Sequence, residues 1–260
     1  MSSNKRLKMK SKQEMLASFK KANQDAKLRM AKKAGFGSKE DYLASLTGKR
    51  VKKAVVKPLI HVVDLLDASG SMEGGKYNNA KMGITSSLSD LRNNKEADFT
   101  YTFIEFIQNG TVETHNFLSS VPNSVGFYGA TGRNTPLYKT VYNALNRLML
   151  AVDTKSKVLV KVYTDGLNNA AQEYREMAAD LIKKLQKKNF TITFVATDGD
   201  MKHIVEALGL DESNTLAVEN SAEGFRKAFK SANEATMMYT SAVASGQNVT
   251  RGFYKKVGKL

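Results

Sequence analysis

The chain has 260 residues, 42% of them hydrophobic, and a formal net charge of +15. That length supports one sizeable core plus an appendage. Cysteine is absent, which excludes disulfides, thiolate nucleophiles and Cys-based metal sites and fits a reducing cytosol.

No apolar run is long enough to span a bilayer, so no membrane partner is expected. Residues 1–12 are basic but lack an apolar stretch, so they are not a secretory signal. These traits predict a soluble cytoplasmic protein. The charge is uneven: residues 1–53 hold 16 Lys/Arg against 4 Asp/Glu, and the rest of the chain is nearly neutral. The expected organisation is a basic helical N-terminal extension over 1–53 and a main domain over 54–260.

In the extension, Ser11-Lys12-Gln13-Glu14 has the pattern of a capping box. Met15, Phe19, Ala22, Ala26 and Met30 then recur at spacings of three and four, one apolar stripe of a helix. Gly35 and Gly37 should end it. Ser38 and Asp41 open a second, shorter helix through Tyr42 and Leu46, stopped by Gly48. Residues 49–53 read as a linker.

From Pro58 onward strands and helices alternate. The expected strands are 59–66, 99–107, 111–117, 157–163, 190–196 and 215–219, most of them rich in Val, Ile, Phe, Tyr and Thr. The expected helices are 76–92, 136–151, 170–188, 201–208 and 222–243. Gln108-Asn109-Gly110 is a hairpin signal, so the second and third strands should be antiparallel. Helical connections elsewhere imply parallel strands with right-handed crossovers. The fold class is therefore α/β: a three-layer, Rossmann-like sandwich on a mostly parallel six-stranded sheet with one antiparallel edge strand.

Chemistry concentrates at the end of the first strand, in Asp67-Ala68-Ser69-Gly70-Ser71-Met72. Alternate residues of an extended loop point the same way, so Asp67, Ser69 and Ser71 present one carboxylate and two hydroxyls together. Oxygen ligands of low total charge suit Mg²⁺ or Mn²⁺ and do not suit zinc. In open α/β sheets ligands sit beyond the carboxyl ends of strands. Asp165 ends the 157–163 strand in the same way, so Asp67 and Asp165 converge if those strands are neighbours. Thr135 precedes Pro136 as a helix N-cap whose hydroxyl could turn to a metal instead.

D-x-S-G-S-M, T-P-L-Y and T-D-G, in that order and on those elements, resemble the von Willebrand factor type A domain of bacterial and phage type. The resemblance covers 58–243. It implies a metal-ion-dependent adhesion site in which Asp67, Ser69, Ser71, Thr135 and Asp165 hold Mg²⁺ or Mn²⁺. It also implies that a protein partner supplies an Asp or Glu to complete the shell. Thr131, in the loop before Thr135, is a rival ligand. A phage-type sequence would place the protein in a host cytoplasm.

No G-x-S-x-G elbow, Walker A or G-x-G-x-x-G loop is present. The leading expectation is a non-enzymatic, cation-dependent protein-binding module. The alternative is a nucleic-acid-associated protein. Lys5, Arg6, Lys8, Lys10, Lys20, Lys21, Lys27, Arg29, Lys32 and Lys33 would grip a DNA or RNA backbone, or an acidic surface, while the main domain recruits a protein. A third reading, Mg²⁺-dependent phosphoryl transfer, is weaker, because Asp64 and Asp67 are three residues apart rather than two. Asp64, a charge inside a strand, is expected to meet a lysine at the sheet edge. Ala196-Thr197-Asp198-Gly199-Asp200 repeats T-D-G but reads as a turn and helix start.

Overall fold

The computed structural model describes residues 25, 29, 32–35, 42–43, 57–107, 110–131 and 134–255. The chain divides into a unit over Met1–Val56 and a unit over Lys57–Leu260.

In the first unit Asp25, Arg29, Lys32 and Lys33 are helical and exposed. Gly35 follows at φ +79° and donates its N–H to the Lys32 carbonyl at 3.1 Å. That is the expected stop: only a residue without Cβ enters the left-handed region freely. Tyr42 and Leu43 are helical and half-buried. The apolar stripe Met15, Phe19, Ala22, Ala26 and Met30 lies outside the described residues. So do Lys5, Arg6, Lys8, Lys10, Lys20, Lys21 and Lys27.

The second unit is built on a seven-stranded sheet. Its strands are β1 (Leu59–Asp67), β2 (Asp98–Ile107), β3 (Gly110–Glu113), β4 (Ser119–Ser120), β5 (Lys157–Tyr163), β6 (Phe190–Thr197) and β7 (Thr215–Val218). The order is β3-β2-β1-β5-β6-β7, with β4 also on β2. β1 pairs in parallel with both β2 and β5, and β5, β6 and β7 continue in parallel. β3 is the antiparallel edge. The helices are α1 (Gly75–Asn93), α2 (Leu137–Ala151), α3 (Arg175–Leu185), α4 (Asp198–Leu208) and α5 (Ala222–Ala244).

Side-chain alternation along β1 sorts the core into two layers. Ile60, Val62 and Leu66 pack with Ile84 and Leu88 of α1 and with Phe225 and Phe229 of α5. Val63 and Leu65 pack with Val141 and Leu145 of α2, Ile182 of α3 and Ile204 of α4. A strand covered on both faces needs a largely apolar run, which β1 has apart from His61, Asp64 and the terminal Asp67. Each such side chain contributes about 1.5–3 kcal/mol by leaving water. Gly83 lets α1 approach α5: a Cβ there would lie 2.4 Å from Phe229 Cβ.

Four local expectations shift. The predicted 111–117 strand ends at Glu113; the chain then turns through Leu118 (φ 52°), whose N–H binds Thr102 Oγ1 at 2.8 Å, and returns to β2 as β4. The predicted 170–188 helix is shorter: Ala171 takes a left-handed conformation, the 3-10 turn Gln172–Tyr174 follows, and α3 ends at Leu185. α4 begins earlier, at Asp198, where Asp198 and Asp200 face the positive end of its dipole. The fourth shift concerns Asp64, which sits in the sheet centre rather than at its edge. It is opposite Lys161 on β5, with Nζ 3.1 Å from Oδ1, and Tyr101 Oη donates to its Oδ2 at 2.7 Å.

Candidate metal centre

The chain leaves β1 for β2 on one side and reaches β5 on the other, so the β1–β5 boundary is the switch point of the sheet. Both strands end there on an acid-bearing loop. Asp67 is the last residue of β1 and fully buried. Its Oδ1 accepts the Ser69 N–H at 2.8 Å, which folds the loop back on itself. Its Oδ2 accepts the Thr164 hydroxyl at 2.6 Å. Thr164 Oγ1 in turn accepts the Gly166 N–H at 3.2 Å, so the two loops are stitched together.

The hydroxyls complete the cluster. Ser69 Oγ lies 3.0 Å from Ser71 Oγ, and Ser71 Oγ donates to Asp165 Oδ1 at 2.6 Å. Asp67, Ser69, Ser71 and Asp165 are thus joined in one crevice. Lys76, the second residue of α1, closes the far side: its ammonium pairs with Asp165 Oδ2 and donates to Asn220 Oδ1 at 2.9 Å.

Thr135 enters differently. It is buried, and its N–H is held by Asn169 Oδ1 at 2.6 Å, while the Asn169 N–H binds its carbonyl at 3.3 Å. It is not the N-cap of α2. Pro136 takes that position, and Asn168 Oδ1 binds the Tyr138 N–H at 3.0 Å in place of a threonine hydroxyl. The rival Thr131 is exposed, with its N–H on the Ala68 carbonyl at 2.8 Å. The backbone of Thr131 is thus tied to the loop after β1 and that of Thr135 to the loop after β5.

A buried network holds the Thr131 loop in place. Glu105, inside β2, is fully buried and accepts the Tyr77 hydroxyl on Oε1 and the Tyr128 N–H on Oε2, the latter at 2.6 Å. Tyr77 Oη accepts the Gly129 N–H at 2.8 Å. Burial and the Glu105 carboxylate raise the Tyr77 hydroxyl well above its ordinary value.

The electrostatics favour an added cation. Burial pushes the Asp67 carboxyl up to about 6, against the pull of its hydrogen bonds to Thr164 and Ser69; the nearby Asp165 pushes it further up. Two carboxylates and several hydroxyls form a hard, oxygen-only donor set. Among the described residues no three His, Cys, Asp or Glu side chains gather as a metal-binding group, so hydroxyls must supply much of any shell here. Lys76 on Asp165 shows that the crevice accommodates positive charge. The residues fit a small hard cation.

Sequence reasoning passed over Lys76, Thr164, Asn168, Asn169 and Glu105. Two carried a signal: Lys76 is a cation in a first helical turn, and Glu105 is an acid inside an apolar strand. The second T-D-G is a helix start, as expected, with Thr197 Oγ1 donating to Asp200 Oδ2 at 2.7 Å. His61 lies near the other end of β1, 2.6 Å from Thr100 Oγ1, away from the crevice.

No family model and no curated protein matches the chain. Solved structures do. A von Willebrand factor type A protein from Catenulispora acidiphila aligns with a TM-score of 0.51 at 17% identity, over 70% of this chain and 43% of that one. Proximal thread matrix protein 1 from the mussel byssus, with a zinc-occupied MIDAS motif, aligns with a TM-score of 0.50 at 13% identity, over 69% of this chain and 46% of that one. The chain thus spans under half the length of these two proteins. Strand order, the antiparallel edge and the flanking helices agree with that likeness: the chain carries the von Willebrand factor type A fold.

Proposed function

We propose that the second unit is a non-enzymatic, divalent-cation-dependent protein-binding module. The observation that carries this is the 2.6 Å contact of Ser71 with Asp165, which brings the ends of β1 and β5 to one point. Asp67, Ser69, Ser71 and Asp165 would hold the ion, with Thr135 or Thr131 bordering it. When bound, the cation supplies an electrophilic position for a partner's Asp or Glu. Tyr128, three residues before Thr131, and Leu167, two residues after Asp165, are exposed and would supply apolar contacts to such a partner.

Mg²⁺ or Mn²⁺ remains the best match to hydroxyl and carboxylate donors. The zinc-occupied motif of the byssus protein sets aside the exclusion of zinc as a general rule, so Zn²⁺ belongs in the same test. Asp64 is engaged by Lys161 and Tyr101 in the core, which argues against a paired-aspartate phosphoryl-transfer centre. Affinity capture with the full chain tests the reading. A partner held in Mg²⁺, released by EDTA and lost with Asp67→Ala supports it. A partner that Asp67→Ala still holds rejects the metal bridge.

A second reading rests on the first unit. Arg29, Lys32 and Lys33 are exposed on helical backbone within the most basic part of the chain. Such a segment would bind a nucleic-acid backbone with steep salt dependence. A filter-binding salt titration with and without residues 1–53 decides it: equal affinity of the two forms ends the reading.

A further inference from the structure

We propose that Lys76 is a tethered cation that competes with a divalent ion for the Asp165 carboxylate and so sets the affinity of the crevice for that ion. The inference rests on the metal-site reading above. A lysine in the first turn of a helix opposes the helix dipole, so α1 itself gives no reason for its place. Its partners do. The Lys76 ammonium contacts Asp165 Oδ2 while Ser71 occupies Oδ1, so both oxygens of this carboxylate are already engaged. The side chain is only 16% exposed, and Asn220 Oδ1 holds it from the loop between β7 and α5.

The backbone is shaped for this contact. A Cβ on Gly75 would lie 2.7 Å from Ala222 Cβ, so a larger residue there would separate the starts of α1 and α5. Their close approach brings Lys76 to Asn220. A divalent ion held by Ser71 and Asp165 would sit beside this ammonium. Two cations against one carboxylate repel, and the repulsion is strong where water is scarce. On this proposal the ion displaces Lys76 from Asp165, and its affinity is lowered by the contact it breaks. A monovalent ion brings no more charge than the ammonium it would replace, so Lys76 also disfavours Na⁺ and K⁺.

Titration calorimetry with MgCl₂ on the full chain, at constant ionic strength, tests this. Lys76→Met should bind Mg²⁺ about tenfold or more tightly than wild type, while Lys76→Arg, which keeps the charge, stays near wild type. Equal or weaker binding by Lys76→Met, with wild type binding normally, overturns the role of Lys76 and leaves the metal site standing. No binding by wild type or Lys76→Met removes the metal site and the proposal together. A second readout uses wild type alone: acylation of the Lys76 amine, followed by mass spectrometry, should rise when Mg²⁺ is added. Labelling that Mg²⁺ does not change would also overturn the proposal.

Discussion

Thr164 donates its hydroxyl to Asp67 Oδ2 at 2.6 Å, across 97 positions of sequence. The bond fixes the carboxylate of one loop from the adjacent loop, and Thr164 immediately precedes Asp165. In the proposed site, this bond would hold the Asp67 carboxylate in one orientation before an ion arrives. Thr164→Val keeps the shape and removes the donor. It should weaken divalent-cation binding by about 10–100-fold, the usual cost of losing a group that orients a ligand. Calorimetric titration of variant and wild type reads this directly.

Asp67 also predicts a pH dependence. Its carboxyl is raised from 3.8 to about 6, chiefly by burial. A raised carboxyl binds its proton more tightly in the folded state than in the unfolded one. Its contribution to stability is therefore greatest below its unfolded value and is lost as pH rises toward 6. The loss is about 3 kcal/mol, from 1.36 kcal/mol per pH unit. In EDTA, urea denaturation of wild type and Asp67→Asn should diverge as pH rises from about 4 to 6, with wild type losing stability relative to the variant. Parallel pH profiles would contradict this.

Tyr77 ties Glu105 to the Thr131 loop. Tyr77→Phe leaves a buried carboxylate oxygen and the Gly129 N–H without that hydroxyl. The expected cost is about 1–3 kcal/mol. Limited proteolysis should cut residues 128–131 faster in the variant, and chemical denaturation gives the energy.

The Asp64–Lys161 pair should behave as a buried ion pair. Lys161→Met alone strands a carboxylate in the core and should cost about 3–5 kcal/mol. Adding Asp64→Asn removes the stranded charge and should restore most of that loss. A double-mutant cycle in urea measures the coupling, and additive losses would reject it.

Much of this fold was legible because its strands obey one simple rule. β1, β5 and β6 are mostly apolar runs bounded by turn residues, interrupted by the paired charges Asp64 and Lys161, and burial on both faces favours that pattern. The site was legible for a related reason: the loop acids follow apolar runs, and sheet topology brings strand ends together. What the sequence hid depends on partners far away in the chain. Asp64 looked like an edge charge because Lys161, nearly a hundred residues later, is its neighbour only by β1–β5 register. Thr135 looked like a helix cap because Asn168, which binds the Tyr138 N–H in the first turn of α2, comes from the loop after β5. Lys76 was passed over because its partners, Asp165 and Asn220, lie 89 and 144 positions away.

In the proposed function Asp67, Ser69, Ser71 and Asp165 grip one divalent cation. Electron paramagnetic resonance of Mn²⁺ titrated with the full chain tests it most directly, because free Mn²⁺ gives a sharp signal that binding removes. The expected result is loss of about one Mn²⁺ signal per chain, reversed by Mg²⁺ and absent in Asp67→Ala with its fold intact by circular dichroism. An undiminished signal from wild type at millimolar protein, or an equal loss in Asp67→Ala, would contradict it.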